Sequence, residues 1–443
     1  MKHLYIILFV LPLIGFGQGW EQTYPSHMGC SQTVSQTSDG GYITGMSVGI
    51  EWDDQEFFLL KLDQDGNEEW SSSLITGLGN CMGIDIIVEE SNNGGYFGVV
   101  SGYCWYEENE EYPFNYVENS VTSIFKTDEN GNILWIIQPL SLTSIHSISQ
   151  TNDDNYVIIG KFDYDNDQTV DDDLRVLKID NNGDEIWSQD FEGLLTGGIS
   201  GSLEETNDGG CVFIMNVGNI NLIKLDQMGN IEWESNFNEF NYDSYNNLNV
   251  DNTVDGGFII GGKVGLSVSN DDGTYSTDLV FMKIDENGIQ ESIITLNYVD
   301  PNWFSFGKFQ QTSDGGYIIV GQTGGVWDSN IMLIKTDENG NEEWTQMYGN
   351  NEGYWGISVQ ETTDGGYIFG CQKEVSHEME YVLYIIKTDG NGNVSTIELP
   401  TPTSKRELIK TTNILGQENT IIKNQPMIEI YDDGSTEKKI VIE

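Results

Sequence analysis

Positive charge is what this sequence has least of. Nineteen Lys and Arg stand against 71 Asp and Glu among 443 residues, a formal net charge of −52. Like charges repel, which argues against nucleic acid and anionic membrane surfaces as partners and favours cations, basic partners or neutral ligands. Histidine is almost absent too: only His27, His146 and His377 follow the first 17 residues. There is no His-x-x-x-His pair, Gly-x-Ser-x-Gly elbow or phosphate-binding glycine loop, so several familiar catalytic devices have no residues to build them. Beyond the first 17 residues no apolar run is long enough to span a bilayer. What is present is 38% apolar residues and 11% aromatics, too many for a disordered acidic chain.

The two ends differ from the middle. Lys2, an apolar stretch from Leu4 to Phe16, and the small residues Gly15 and Gly17 read as a secretory signal over 1–17, cut before Gln18. No cysteine follows that cut, which argues against a lipid anchor. Residues 401–443 carry six of the basic residues and seven acids, leaving 12 basic and 64 acidic residues for 18–400. The stretch Leu399-Pro400-Thr401-Pro402-Thr403-Ser404 is a linker candidate. After it come short β segments and a Tyr431-Asp432-Asp433-Gly434 turn.

This last segment resembles the C-terminal sorting domain of proteins exported by the type IX secretion system of Bacteroidota. The resemblance is carried by Leu415-Gly416, Pro426, Tyr431, Asp433-Gly434 and Lys438-Lys439, with Gln417 departing from the arginine usual after the Leu-Gly pair. It implies export in two steps through that machinery, removal of residues 401–443, and release or attachment at the cell surface.

The middle is a sevenfold repeat. A Thr-x-Asp-Gly-Gly-aromatic turn recurs at Asp39, Asn93, Asp153, Asp208, Asp255, Asp314 and Asp364. A Lys-x-Asp-x-x-Gly motif starts at Lys61, Lys126, Lys178, Lys224, Lys283, Lys335 and Lys387, and the two anchors alternate without exception. The mean period is about 54 residues, with two tight Gly/Asn turns and four Ile/Val-rich segments per unit, which is the pattern of a four-stranded propeller blade. In the sixth unit the strands a to d are expected over 306–312, 317–322, 330–337 and 342–348. The units resemble the short repeats of bacterial seven-bladed propellers, and that resemblance over 20–399 implies a fold rather than a function. The expected architecture is therefore all-β: a seven-bladed β-propeller over 18–400 followed by a small β sorting domain. Trp20-Glu21-Gln22-Thr23-Tyr24 matches Trp344-Thr345-Gln346-Met347-Tyr348, so the N-terminal segment is expected to supply the outer strand of the seventh blade and close the ring.

Residues needed in every blade read as structural. The repeat lysines share a strand face with the aspartate two places on and are expected to pair there or meet a neighbouring blade. Trp70, Trp135, Trp187, Trp233 and Trp344 are expected between blades, with Ser292 and Thr396 in their place in units five and seven. The Asp-x-Asp-Gly turns, such as Asp63-Gln64-Asp65-Gly66, lack the further oxygen ligands of a calcium loop, so no cofactor is expected from them. A cation, calcium foremost, has its better candidates in Asp163, Asp165, Asp167 and Asp171, weighed against a solvated acidic loop. In the a–b hairpin of unit two, Cys81 and Cys104 fall nearly opposite each other, which points to a disulfide after export. Cys211 sits at an aromatic position of its repeat and belongs to the core.

The a–b and c–d turns are short and alike, whereas the b–c and d–a connections vary and hold the non-repeat aromatics Trp52, Trp105, Tyr106, Tyr245, Trp303, Trp327, Tyr354 and Trp355. Variable loops on a rigid scaffold are where binding residues collect. Trp and Tyr beside carboxylates suit stacking on sugars or gripping a protein, against the alternative of plugging the ring. Trp303 and Trp355 precede strand a by similar distances and are expected in equivalent places. The reading is a secreted or surface-displayed binding module, with glycan or extracellular matrix first and a protein-interaction scaffold second. A polysaccharide hydrolase or lyase comes third; a carboxylate pair near the channel on the aromatic face would favour it.

Overall fold

The computed structural model describes residues 19–24, 33–49, 55–74, 80–107, 116–138, 142, 144–162, 173–191, 202–216, 220–237, 248–269, 275–300, 304–324, 329–376, 380–394, 408–413, 426–431 and 436–440. The chain divides between Val394 and Ser395 into two compact units. The first is a ring of seven four-stranded antiparallel sheets, a β-propeller, and the described residues contain no helix. In the sixth blade the strands run Phe304–Gln311, Tyr317–Thr323, Asn330–Thr336 and Glu342–Tyr348. Blade seven is completed from the other end of the unit. Trp20–Tyr24 pairs antiparallel with Glu380–Thr388, with Trp20 opposite Lys387 and Tyr24 opposite Leu383.

No blade has a core of its own. Seven apolar clusters each lie between two neighbouring sheets, for example Leu59 and Leu74 of blade one against Ile86 and Phe125 of blade two. A sheet in this position is apolar on both faces, which is why strands such as Ile220–Leu225 are buried at every residue. The outermost strands keep exposed positions, as in Glu185–Phe191.

The Asp-Gly-Gly turn shows why both glycines recur. Gly40 sits at φ +86°, in the left-handed region that costs other residues strain. Gly41 has ordinary φ, but a Cβ there would lie 2.2 Å from the Leu62 carbonyl oxygen and 2.5 Å from Lys61 Nζ. The first glycine is required by conformation and the second by space.

The expected Lys–Asp pairing is corrected. Lys61 does not pair with Asp63; its Nζ meets Asp39 of the a–b turn at 2.9 Å and Glu69 at 3.0 Å. Lys178, Lys335 and Lys387 likewise meet Asp153, Asp314 and Asp364. Asp63 instead folds its own turn, accepting from the backbone N–H of Asp65 and Asn67. A five-residue turn brings its own amides closer to that carboxylate than the lysine can come, and this local bonding wins. The repeat lysines are nearly all buried, and the a–b turn supplies each with an acceptor: a carboxylate in six blades and, for Lys126, the side-chain oxygen of Asn93.

The tryptophans fill the predicted place between blades. Trp20, Trp135, Trp187 and Trp233 each donate their indole N–H to a carbonyl in the next blade's c–d turn, that of Gln64, Asn181, Gln227 and Glu286. The ring of Trp20 covers Gly66 so closely that a Cβ there would come within 2.8 Å of it. In blade five, where Ser292 replaces Trp, Ile294 covers Gly340 instead.

The second unit is a three-stranded antiparallel meander of Leu408–Asn413, Pro426–Tyr431 and Thr436–Ile440. Pro426, Tyr431, Lys438 and Lys439 lie on its strands, while Leu415, Gly416, Asp433 and Gly434 lie outside the described residues.

Candidate functional site: the central channel

Strand a is the innermost strand of each blade, and its free edge faces the channel. That edge carries unpaired backbone donors, and side chains of the neighbouring blade satisfy them. Asp251 of blade five accepts from Gln311 N at 3.0 Å. Gln310 of blade six accepts from Glu361 N, and Gln360 of blade seven from Gln36 N, both at 2.7 Å. All three acceptors sit one residue before the end of their strand. In blades two and four the same position holds Glu89 and Glu204, which make no such bond among the described residues.

Glu89, Glu204 and Asp251 thus share one position along the channel, and Lys308 lies two residues before Gln310 on the inner strand of blade six. They feel one another across the ring. Burial drives the Glu204 carboxyl well above the usual carboxylate range, and the charges of Asp251 and Glu89 push it further, with Lys308 opposing. Burial also raises Glu89 against the pull of Lys308, and raises Asp251 against its backbone hydrogen bonds. The same burial lowers Lys308, opposed by Glu204 and Glu89. Lys308 itself is exposed. Acids shifted upward beside a lysine shifted downward are the kind of grouping from which proton donors and acceptors are made. No group of three or more His, Cys, Asp or Glu among the described residues is arranged to hold a metal ion.

These acids lie one residue from the a–b turn, so they sit at the end of the channel on the short-turn face. A carboxylate pair on the aromatic face would have favoured a hydrolase or lyase; these carboxylates lie at the opposite end. Sequence reading missed them because strand a shows no repeat motif; the in-strand acids Glu89, Glu204 and Asp251 were the available signal.

The predicted aromatics fare differently. Trp105 and Tyr106 lie on strand b of blade two, Tyr96–Glu107, and Trp355 on strand a of blade seven, Tyr354–Glu361. Trp52, Tyr245, Trp303 and Trp327 lie outside the described residues, as do Asp163, Asp165, Asp167 and Asp171. Tyr354 is a correction: it is 1% exposed and packs in the core between blades six and seven, because its ring fills the space beside Gly349, so it offers no stacking surface. The equivalence of Trp303 and Trp355 is also corrected. Trp355 faces Gln372 as Ser305 faces Gln322, so its counterpart is Ser305, two residues after Trp303. Cys81 faces Cys104 directly, because a bulge between Met82 and Asp85 shifts the register by one residue. Cys211 is buried in the core, with its thiol pushed up to about 12 by burial.

Comparisons bear on the fold alone. No protein-family model matches the chain, and no curated protein matches it. Among solved structures it is similar to the polysaccharide lyase Uly1, at 9% identity and TM-score 0.52 over 84% of this chain and 100% of that one. It is also similar to a chain of the outer coat vertex of COPII on membranes, at 10% identity and TM-score 0.50 over 94% and 98%. The Pan2 WD40 domain of Neurospora crassa aligns at 13% identity and TM-score 0.48 over 83% and 96%. At such identities the likeness shows a propeller and nothing of its chemistry.

Proposed function

We propose that this is an exported propeller, displayed on the cell surface or released, that binds a glycan or matrix component through the face carrying the b–c and d–a connections. The observation that carries the reading is a division of labour. The described repeat lysines, turn aspartates and tryptophans are engaged within or between blades, whereas the sequence puts the non-repeat aromatics other than Tyr354 in or beside the variable b–c and d–a connections. Trp105 and Trp355 stand at that end of their strands. Residues 1–17 would direct the chain out of the cytoplasm, and 401–443 would engage the type IX machinery and be removed.

The test is direct: residues 18–400 on an array of glycans and matrix proteins, with and without calcium. Selective glycan binding that is lost in Trp355→Ala or Trp105→Ala, with the melting transition intact, is the expected result. Folded protein with no glycan signal would overturn this reading and favour a protein-interaction scaffold. Calcium dependence would assign a role to Asp163, Asp165, Asp167 and Asp171.

A second reading, a polysaccharide hydrolase or lyase, is favoured by one specific feature: Glu89, Glu204, Asp251 and Lys308 converging in the channel with opposed shifts. Its signature is polymer cleavage that Glu204→Gln abolishes while binding persists.

A further inference from the structure

A cleft of about 640 Å³ opens on the short-turn face between blades one and two, away from the face proposed for glycan binding. Its walls are built from repeat positions, so each can be compared with its six counterparts. Blade one contributes Asp39 and Glu69, both held by Lys61, which is 2% exposed. Blade two contributes Glu90, the last residue of strand a, and Glu129, the second residue of its c–d turn. The first of these positions is otherwise Gln36, Gln150, Glu205, Asn252, Gln311 and Glu361. The second is otherwise Gln64, Asn181, Gln227, Glu286, Glu338 and Gly390. Only blade two has glutamate at both.

The junction also lacks a contact that four others make. Trp20, Trp135, Trp187 and Trp233 spend their indole N–H on the carbonyl of that second turn residue. Among the described residues Trp70, like Trp344, makes no such bond; its indole lines the cleft beside Tyr96, ring centroids 5.6 Å apart, and Ser72 Oγ donates to the Gly131 carbonyl of the same turn instead. The turn of blade two is itself different: Gly94 and Gly95 both have positive φ, where the other turns have one such residue. Glu90 keeps its latch, accepting from Ser38 N and Oγ, and the Glu129 carboxylate accepts no hydrogen bond among the described residues.

We infer that this cleft binds the guanidinium side chain of a basic peptide segment, its stem against Trp70 and its charge among Glu69, Glu90 and Glu129. Four carboxylates face a single buried ammonium already shared by two of them, so the cleft is short of positive charge. Guanidinium supplies that charge as several directed N–H donors and lies well on an aromatic ring.

The test uses substitutions the ring already tolerates. Glu90→Gln reproduces Gln36 and Gln311, and Glu129→Gln reproduces Gln64 and Gln227, so the double variant E90Q/E129Q keeps both the latch and the turn. The control E338Q/E361Q removes the same charge from equivalent positions of blades six and seven. Titration calorimetry with acetyl-Arg-Arg-amide, at roughly physiological salt to screen diffuse attraction, should show saturable one-to-one binding. The uncharged citrulline counterpart should bind at least about tenfold more weakly, as expected for lost charge-assisted hydrogen bonds. E90Q/E129Q should lose at least about tenfold in affinity while E338Q/E361Q stays close to the parent. Absence of saturable binding, equal binding of the citrulline peptide, or equal losses in the two double variants would overturn the assignment. None of these results depends on the glycan array, which probes the other face.

Discussion

Glu204 shows how position alone changes a residue's chemistry. Its neighbour Glu205, half-buried at the end of the same strand, accepts a hydrogen bond from Asn152 N. Glu204, one residue earlier, faces the channel and has no such donor, with Glu89 and Asp251 as like-charged neighbours and Lys308 as the one opposite charge. A carboxyl raised in the folded state keeps its proton there longer than in the unfolded chain. Its contribution is therefore full at low pH and is lost as pH climbs from about 4 through the raised value. Glu204→Gln removes that loss. The variant should melt above the parent at pH 8, with the difference closing near pH 4 as followed by circular dichroism. A difference of the same size at both pH values would mean that the Glu204 carboxyl titrates alike in the folded and unfolded protein. The turn aspartates run the other way: Asp39 is held at about 2, burial opposing it but hydrogen bonds from Thr37 and Lys61 prevailing, so its support is lost only in strong acid.

Between elements, the blades are joined by a repeated backbone latch. The amide of the second residue of each a–b turn donates to the last side chain of the next inner strand: Ser38 to Glu90, Asn92 to Gln150, Asn152 to Glu205, Val254 to Gln311, Ser313 to Glu361 and Thr363 to Gln36. The seventh junction, between blades four and five, has Asn252, one methylene shorter. Asn252 turns to the Glu205 carbonyl and leaves Asn207 N without this partner. Asn252→Gln should restore the latch and stabilise the protein by about 1 kcal/mol, read as a shift of the denaturation midpoint; no shift would mean the amide is equally served by water. The hairpin of blade two carries the second prediction at this scale. With Cys81 opposite Cys104, oxidised protein should react with an alkylating agent, after denaturation without reductant, at three of its five cysteines. Labelling of all five would show the pair unjoined. A bridge over this loop would add about 3 kcal/mol.

For the whole molecule the decisive contact is the one that joins the ends. The strand Trp20–Tyr24 covers the edge of Glu380–Thr388, Tyr24 donates its hydroxyl proton to the Gly66 carbonyl, and Trp20 covers Gly66. Three different elements of closure thus meet in five residues. Deleting residues 18–24 should lower the melting temperature and expose an aggregation-prone edge, and adding the peptide 18–24 in excess should recover part of the loss. Unchanged melting in the deletion variant would show that the ring closes by the inter-blade cores and latches without it.

Seven blades, four strands each, and the N-terminal strand in blade seven follow from the sequence alone, because each is written locally. A turn needs glycine where φ is positive, a strand buried on both faces is apolar throughout, and both recur with the period of the blade. The tryptophans between blades were legible for the same reason. The partner of each repeat lysine was not, because it lies some twenty residues back in the chain and only hairpin register brings it near. The channel acids were less visible still. Glu89, Glu204 and Asp251 share one repeat position, four residues before the turn Asp or Asn, but the other blades put Ser or Gln there and Lys308 lies outside it, so only closure of the ring makes them a group. The same holds for the cleft between blades one and two, whose carboxylates occupy ordinary repeat positions and become a group only when two sheets pack face to face.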